Sequence, residues 1–206
     1  MSKGVLLIFG ASGHGKVVAD VAESCGWTDI RFYDDRAAEL SDGQYPWPVV
    51  GDAEAFLKDS VNAAGVFVAI GGNAIRRKFV ELLLEREAPL ITLIHPAAVV
   101  SRYAVLSSGT LVMPCAVVNA GCELGMAALI NTGATVDHDC RLGDFVHVCP
   151  GAHLAADVQC GDEVWFGIGC AVRQGAQIGS RVTIGAGAAV VKNVGDGLTV
   201  VGVPAR

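Results

Sequence analysis

Residues 128–154 read ALINTGATVDHDCRLGDFVHVCPGAHL. From Ile130, each sixth residue of this stretch is aliphatic: Val136, Leu142, Val148 and Leu154. The frame extends in both directions, from Leu106 to Val190, with Val100 and Ile94 before it. None of the fifteen positions from Leu106 is polar and thirteen are aliphatic; Cys160 and Phe166 are the other two. Two residues before each lies a small or β-branched residue, as at Ala116, Cys122, Ala128, Ala134, Cys140, Val146 and Ala152. Immediately after it, ten of fifteen residues are Gly, Asn, Asp or Ser, which suit turns and tolerate left-handed backbone angles. Ordinary strand alternation does not give a period of six, and a helix drifts out of phase with it.

A parallel β-coil with three flat faces, two residues pointing inward on each, satisfies this pattern. Three hexads make one turn, so residues three hexads apart stack; Gly125, Gly143, Gly161 and Gly179 then fall in one column. Each turn satisfies the backbone of the next, and the aliphatic ladders are buried between them. The coil is expected from about residue 95 to 195. Its inward cysteines, at 122, 140, 160 and 170, read as small hydrophobes of the core rather than as chemistry.

The first half has a different rhythm. Val5–Phe9 reads as a buried parallel strand, followed by the glycine loop Gly10-Ala11-Ser12-Gly13-His14-Gly15 and a helical pattern from Lys16 to Cys25. Further strands are expected at Ile30–Tyr33, Val66–Ile70 and Ile91–Ile94, with a helix from Gly71-Gly72-Asn73 to about Glu87. This order implies a small Rossmann-like α/β domain over residues 1–92 and an all-β domain over 93–206. Gly10 to Lys16 fits the spacing of a phosphate-binding P-loop, but Val17 stands where the magnesium-binding Ser or Thr belongs. The spacing is also not the dinucleotide G-x-G-x-x-G. What the loop retains is the shared mechanism: glycines let backbone approach phosphate, and a helix N-terminus favours negative charge.

Composition narrows the function classes. Net charge is −6 and no Lys/Arg run stands out, which argues against nucleic acid. The apolar run near the start is too short and too soon broken for a signal peptide or membrane span. Seven cysteines without a C-x-x-C fit a reduced, cytoplasmic protein better than disulfides or zinc. Of five histidines, His138 is the strongest chemical candidate, because it is flanked by Asp137 and Asp139 on a rigid coil. A neighbouring carboxylate holds an imidazole tautomer and raises its basicity. The histidines lack a sharp metal-ligand spacing.

Eight segments, GASGHGKVV (10–18), FYDD (32–35), AIGGNAIRRK (69–78), LIHPAAVVS (93–101), INTGATVDHDC (130–140), HVCPGAHLA (147–155), IGAGAAVV (184–191) and VGVPAR (201–206), follow one another along nearly the whole chain. In this the chain resembles the sialic acid O-acetyltransferase-like group of hexapeptide-repeat acyltransferases, and within it the bacterial nucleotide-4-amino-sugar N-acetyltransferases of the bacillosamine type. The resemblance implies a left-handed coil, a homotrimer with active sites at the seams between coils, acetyl-CoA as cosubstrate without a metal, and a nucleotide-sugar held by the first domain. By the same resemblance His138 is the general base and Asp139 its acidic partner, where some relatives have Glu. His147, Ile168 and Ala186 lie along the acetyl-CoA groove, and Ser12, Gly13, His14, Asp34, Asp35 and Gly71 contact the nucleotide-sugar. The expected reaction is N-acetylation of a UDP-linked 4-amino sugar. The rivals are a GDP- or dTDP-linked acceptor and O-acetylation of a sialic acid.

Overall fold

The computed structural model describes residues 3–40 and 46–206. The chain divides into two compact units, Met1–Leu93 and Ile94–Arg206. In the first, strand β1 (Val5–Phe9) is buried apart from its first residue, as an apolar run in the middle of a parallel sheet must be. It is flanked by β2 (Asp29–Tyr33) and β4 (Gly65–Val68), and β3 (Val49–Gly51) adds the outer strand, in the order β3-β2-β1-β4. Each pairing is parallel. The strand expected at 91–94 forms over Leu93–Ile94 and joins the coil's second sheet, next to Leu111–Val112, rather than this one. Leu90 makes one isolated bridge to Val66, in which the Val66 N–H donates to Pro89 O at 2.9 Å and the Ile91 N–H to Val66 O at 3.2 Å.

Helix α1 (Gly13–Ser24) starts three residues before the expected Lys16, so the second half of the glycine motif forms its first turn. Two helices without a periodic signature follow, α2 (Ala37–Leu40) and α3 (Ala53–Asp59). Asp52 caps α3, its carboxylate accepting the Ala55 N–H at 2.9 Å. Helix α4 (Asn73–Leu84) ends short of Glu87. Glu87 adopts φ 54°, and the Ala88 N–H turns back to Leu83 O at 3.0 Å, which closes the helix end.

The second unit is a left-handed parallel β-helix of two-residue strands. One face stacks Val105–Leu106, Glu123–Leu124, Arg141–Leu142, Gln159–Cys160 and Gln177–Ile178. A second stacks Leu111–Val112, Leu129–Ile130, His147–Val148, Trp165–Phe166 and Thr183–Ile184. The third stacks Val117–Val118, Thr135–Val136, His153–Leu154, Ala171–Val172 and Ala189–Val190. Partners are three hexads apart, as in Leu124 with Leu142 and Ile130 with Val148. The N–H of one turn donates to a carbonyl of the next, as Glu123 does to Cys140 O at 2.9 Å and Leu129 to Val146 O at 2.8 Å. The aliphatic ladders and the small residues beside them form the core, including Cys122, Cys140 and Cys170, with Cys160 packed at its edge. Thr110 is the polar member of the inward set; its hydroxyl donates to Ser107 O at 2.7 Å.

The turns correct one expectation. Left-handed backbone recurs at every sixth position from Gly109 to Gly187, with φ between 51° and 75°, three positions after each inward aliphatic and not immediately after it. The glycines immediately after the aliphatics serve another need. A Cβ on Gly125 would strike the backbone of Gly143, and one on Gly143 would strike that of Gly161. The clearance lets side chains bond down the corner: Asp144 Oδ1 accepts the Met126 N–H at 2.7 Å, and Asp162 Oδ1 accepts the Asp144 N–H at 2.9 Å. The frame then breaks after Val190. Ile178 bridges Val194, and Ile184 pairs with Val200 where the frame would have brought Gly202, so the last turn is shorter than those before it.

Burying a Val, Leu or Ile side chain contributes about 1.5–3 kcal/mol, and the coil repeats that contribution on all three faces. Ile130 is fully buried mid-coil, so Ile130→Ala should cost about 2–5 kcal/mol, measured as a shift of the denaturant midpoint with circular dichroism.

Candidate functional site

The turn after Thr135–Val136 carries the densest chemistry. Asp137 Oδ1 accepts both the His138 N–H and the Asn119 side-chain amide, each at 2.8 Å, so the turn is fixed from its own rung and from the one before it. Those hydrogen bonds, with His138 the first and the Asn119 amide next, hold the Asp137 carboxyl below the usual range. Asp139 takes the left-handed position of the turn, with φ 62°. That geometry swings its carboxylate beside the preceding side chain, and His138 Nδ1 lies 2.8 Å from Asp139 Oδ2. The carboxylate accepts from Nδ1–H, which leaves Nε2 pointing away from the pair. Both side chains are more than half exposed. The bond from Asp139 raises the His138 pKa above its ordinary value, with the charges of Asp137 and Asp139 adding to it.

His147 stands elsewhere, on the second face, and is buried. Its ring meets Trp165 edge-on at 4.5 Å between centroids. Asn131 Oδ1 accepts the Thr132 N–H at 2.8 Å, which orients the amide nitrogen toward His147 Nε2 at 3.1 Å. Ile168 and Ala186 share one corner column, linked by the Gly187 N–H donating to Ile168 O at 2.8 Å. Ile168 is 60% exposed. This corner and the His138 corner are successive in the coil, with the third face between them. That face carries a shallow groove of about 420 Å3 lined by Asn119, Thr135, Asp137 and His153 among others. The coil thus pairs His138 with Asp139 directly, while His147 and the Ile168–Ala186 column occupy separate positions.

The other sequence-derived candidates lie at the carboxyl edge of the first unit's sheet. The loops after β1 and β4 meet there, where the strand order reverses direction. Gly15 permits the meeting of loop and helix, since a Cβ on it would overlap Gly10 O. Ser12 is exposed and precedes α1, with no side-chain capping bond. Gly13 has open space where a side chain would project. Burial, with the Arg76 charge second, pushes the His14 pKa down to about 4, so this imidazole is neutral at physiological pH. Asp34 is tied by both oxygens: Oδ2 accepts the Ala11 N–H at 2.9 Å and Oδ1 the Arg36 N–H at 3.0 Å. Burial alone would raise its pKa; these bonds and the Arg36 charge outweigh burial and hold it low. Asp35 is exposed and accepts the Ala53 N–H at 3.1 Å. Gly71 O accepts from Arg76 Nη1 at 2.9 Å.

Arg76 carries no signal in the sequence pattern, yet it is central to this edge. It is fully buried, and it also bonds Ile70 O at 3.1 Å and Asn73 Oδ1 at 3.0 Å, pinning the second glycine loop from beneath. Asn119 and Asn131 likewise read in the hexads only as turn residues; their place one rung from a histidine-bearing turn or strand is the available signal. Among the described residues, no group of three His, Cys, Asp or Glu is arranged to hold a metal, and no helix is long and apolar enough to cross a membrane.

Known proteins match both units. The PglD N-terminal domain family matches residues 5–83. The acetyltransferase domain of PglB from Neisseria gonorrhoeae FA1090 superposes with a TM-score of 0.92 at 43% identity, covering 98% of each chain. In complex with acetyl coenzyme A it gives 0.93 at 42% identity, over 100% of this chain and 99% of that one. PerB from Caulobacter crescentus, in complex with CoA and GDP-perosamine, gives 0.92 at 38% identity over 98% of this chain and 96% of that one. The UDP-N-acetylbacillosamine N-acetyltransferase of Bacillus subtilis (strain 168) is 33% identical over 105 residues, which is 50% of this chain and 48% of that relative, so the match spans about half the length of each.

The glycine geometry gives a paired test. Gly15→Ala should destabilise the first unit by about 1–3 kcal/mol, the usual cost of overpacking, whereas Gly13→Ala, with nothing within 4 Å, should not destabilise it. Thermal unfolding of the two variants side by side reads the difference.

Proposed function

Since the chain belongs to the hexapeptide-repeat sugar acetyltransferase family of these PglB and PerB structures, we propose that it transfers the acetyl group of acetyl-CoA to the 4-amino group of a nucleotide-linked amino-dideoxy sugar, with His138 as general base. The observation that carries this reading is the His138–Asp139 pair, in which the carboxylate engages Nδ1 and leaves Nε2 directed outward from an exposed corner. The family relation adds the donor: a PglB domain holds acetyl coenzyme A, and PerB holds CoA with GDP-perosamine.

The neutral sugar amine attacks the thioester carbonyl carbon. As the tetrahedral intermediate forms, the amine proton passes to His138 Nε2. The imidazolium is stabilised by Asp139 through Nδ1–H. Collapse breaks the carbon–sulfur bond, and the departing thiolate takes the proton from His138, giving CoA and the N-acetylated sugar. No protein nucleophile is consumed.

His138 and the Ile168–Ala186 column stand on different corners. In this reading a homotrimer completes the site, with one copy's base corner set against a neighbour's coenzyme corner and His147 near the thioester. Exposed Val99, Val105 and Tyr103, each more than 60% accessible, are apolar surface such an assembly would cover. The glycine loops hold the nucleotide-sugar: backbone at Ser12, Gly13 and Gly71 faces its phosphates, with His14, Asp34 and Asp35 beside it. Such a biosynthetic enzyme works in the cytoplasm.

A thiol-release assay with acetyl-CoA and a panel of UDP-, GDP- and dTDP-linked 4-amino sugars tests the reading. Preference for a free sialic acid over the whole panel would replace it with O-acetylation. His138→Ala should lower turnover by roughly two to four orders of magnitude. A base acts unprotonated, so the wild-type rate should climb with pH through the His138 midpoint, which Asp139 holds above the ordinary imidazole value, and then level; that limb should vanish in His138→Ala. In the first unit, Gly13→Val should weaken nucleotide-sugar binding in calorimetry and spare acetyl-CoA. Unchanged binding of both ligands would place the nucleotide elsewhere.

A further inference from the structure

One corner of the coil stacks Gly121 beneath Asp139. The rungs are joined there by the Asp139 N–H donating to Ala120 O at 3.1 Å and the Asp157 N–H donating to His138 O at 3.0 Å. A Cβ on Gly121 would fall on Asp139 Oδ1, far inside van der Waals contact. The other oxygen of that carboxylate, Oδ2, is the one 2.8 Å from His138 Nδ1. The carboxylate therefore lies across the bare Cα of the preceding rung with one oxygen and holds the imidazole with the other.

The left-handed angle of Gly121, φ 75°, does not by itself demand glycine. Ala127, Phe145 and Asp139 hold the equivalent turn position at 51°, 59° and 62°. Gly133 and Gly151 share the angle, at 64° and 62°, and a Cβ on either would meet nothing within 4 Å. What sets Gly121 apart is the carboxylate above it.

We propose that Gly121 is a positioning residue for the acid–base pair, its missing side chain being the space that lets Asp139 reach His138. The inference rests on the reading of His138 as the base. Any side chain at 121 rotates the Asp139 carboxylate off the imidazole. Because the displaced atoms are the end of a flexible side chain, the coil itself accommodates the change. The charged and titratable groups facing His138 are the carboxylates of Asp139 and Asp137 and the thiol of Cys122. Asp137 is anchored by Asn119 and by the His138 N–H, so Asp139 is the one that Gly121 governs.

The test is a proton NMR titration of the His138 imidazole in the wild type, Gly121→Ala, Asp139→Asn and Gly151→Ala. Gly121→Ala should lower the His138 midpoint as far as Asp139→Asn does, while Gly151→Ala, which introduces the same backbone strain without the contact, should leave it in place. Gly121→Asn supplies the Cβ with a residue that tolerates left-handed angles, and it should repeat the shift if the alanine variant folds poorly. A wild-type midpoint in both Gly121 variants, or an equal shift in Gly151→Ala, would overturn the proposal. The titration reads the seat without turnover. Full activity of His138→Ala would instead remove the catalytic reading and leave the seat standing.

Discussion

The hydrogen bond from one rung to the carbonyl of the next is the constraint on which the rest of the coil depends. A two-residue strand cannot satisfy its own backbone, so the rungs from Val105–Leu106 onward borrow their partners from the rungs stacked against them, three hexads away in sequence until the shorter last turn. That fixes the register, and the register fixes which side chains face in. Once the aliphatics are stacked, the turns between strands have little freedom, and residues at equivalent places in successive turns are brought into vertical contact. The His138 turn shows the result. Asn119 reaches Asp137 from one rung away, and Asp139 settles over Gly121 in the same way.

Rigidity of this kind suits acid–base chemistry. A general base must present one nitrogen and keep the other engaged, and here the engaged nitrogen is held by the very next residue. The left-handed turn is what makes an adjacent residue able to do this: in an extended strand, neighbouring side chains point to opposite faces. The outward direction of Nε2 thus follows from the turn conformation, which sets the Asp139 carboxylate against Nδ1. The first unit works by a different route. Its loops are positioned by a sheet edge, and buried Arg76 and doubly bonded Asp34 hold them in place from within.

The hexad frame was legible in the sequence because burial is enforced at every sixth residue, from Leu106 to Val190, without an interrupting loop. The pairing of His138 with Asp139 was legible because the two are adjacent. The assignment of the turn residues was not. Gly, Asn and Asp serve both left-handed backbone and close approach, and composition does not separate the two uses; the column at Gly125 needs clearance, while left-handed angles fall two positions later. Strand β3 escaped because so short a segment carries no period. The strand expected at 91–94 forms only over Leu93–Ile94, and it joins the coil's second sheet rather than the sheet that holds β4. Asn131 and Arg76 were invisible because their partners, His147 and the Ile70–Gly71 carbonyls, are set by three-dimensional neighbours rather than by spacing.

The uniform stacking of rungs also bears on how the second unit forms and opens. Contacts in the coil are all of nearly the same, modest sequence separation, so closing each new rung costs about the same loop entropy as the last. Ordering can begin at any well-packed rung and spread both ways, and loosening begins at the ends, where a rung has a neighbour on one side alone. Val100 and Leu106, inward residues near one end, are only partly buried, whereas Ile130, Val136 and Val148 are fully enclosed. His138 is carried by these middle rungs. His138 is held by the part of the coil that is last to fray, so partial opening at either terminus leaves its geometry untouched.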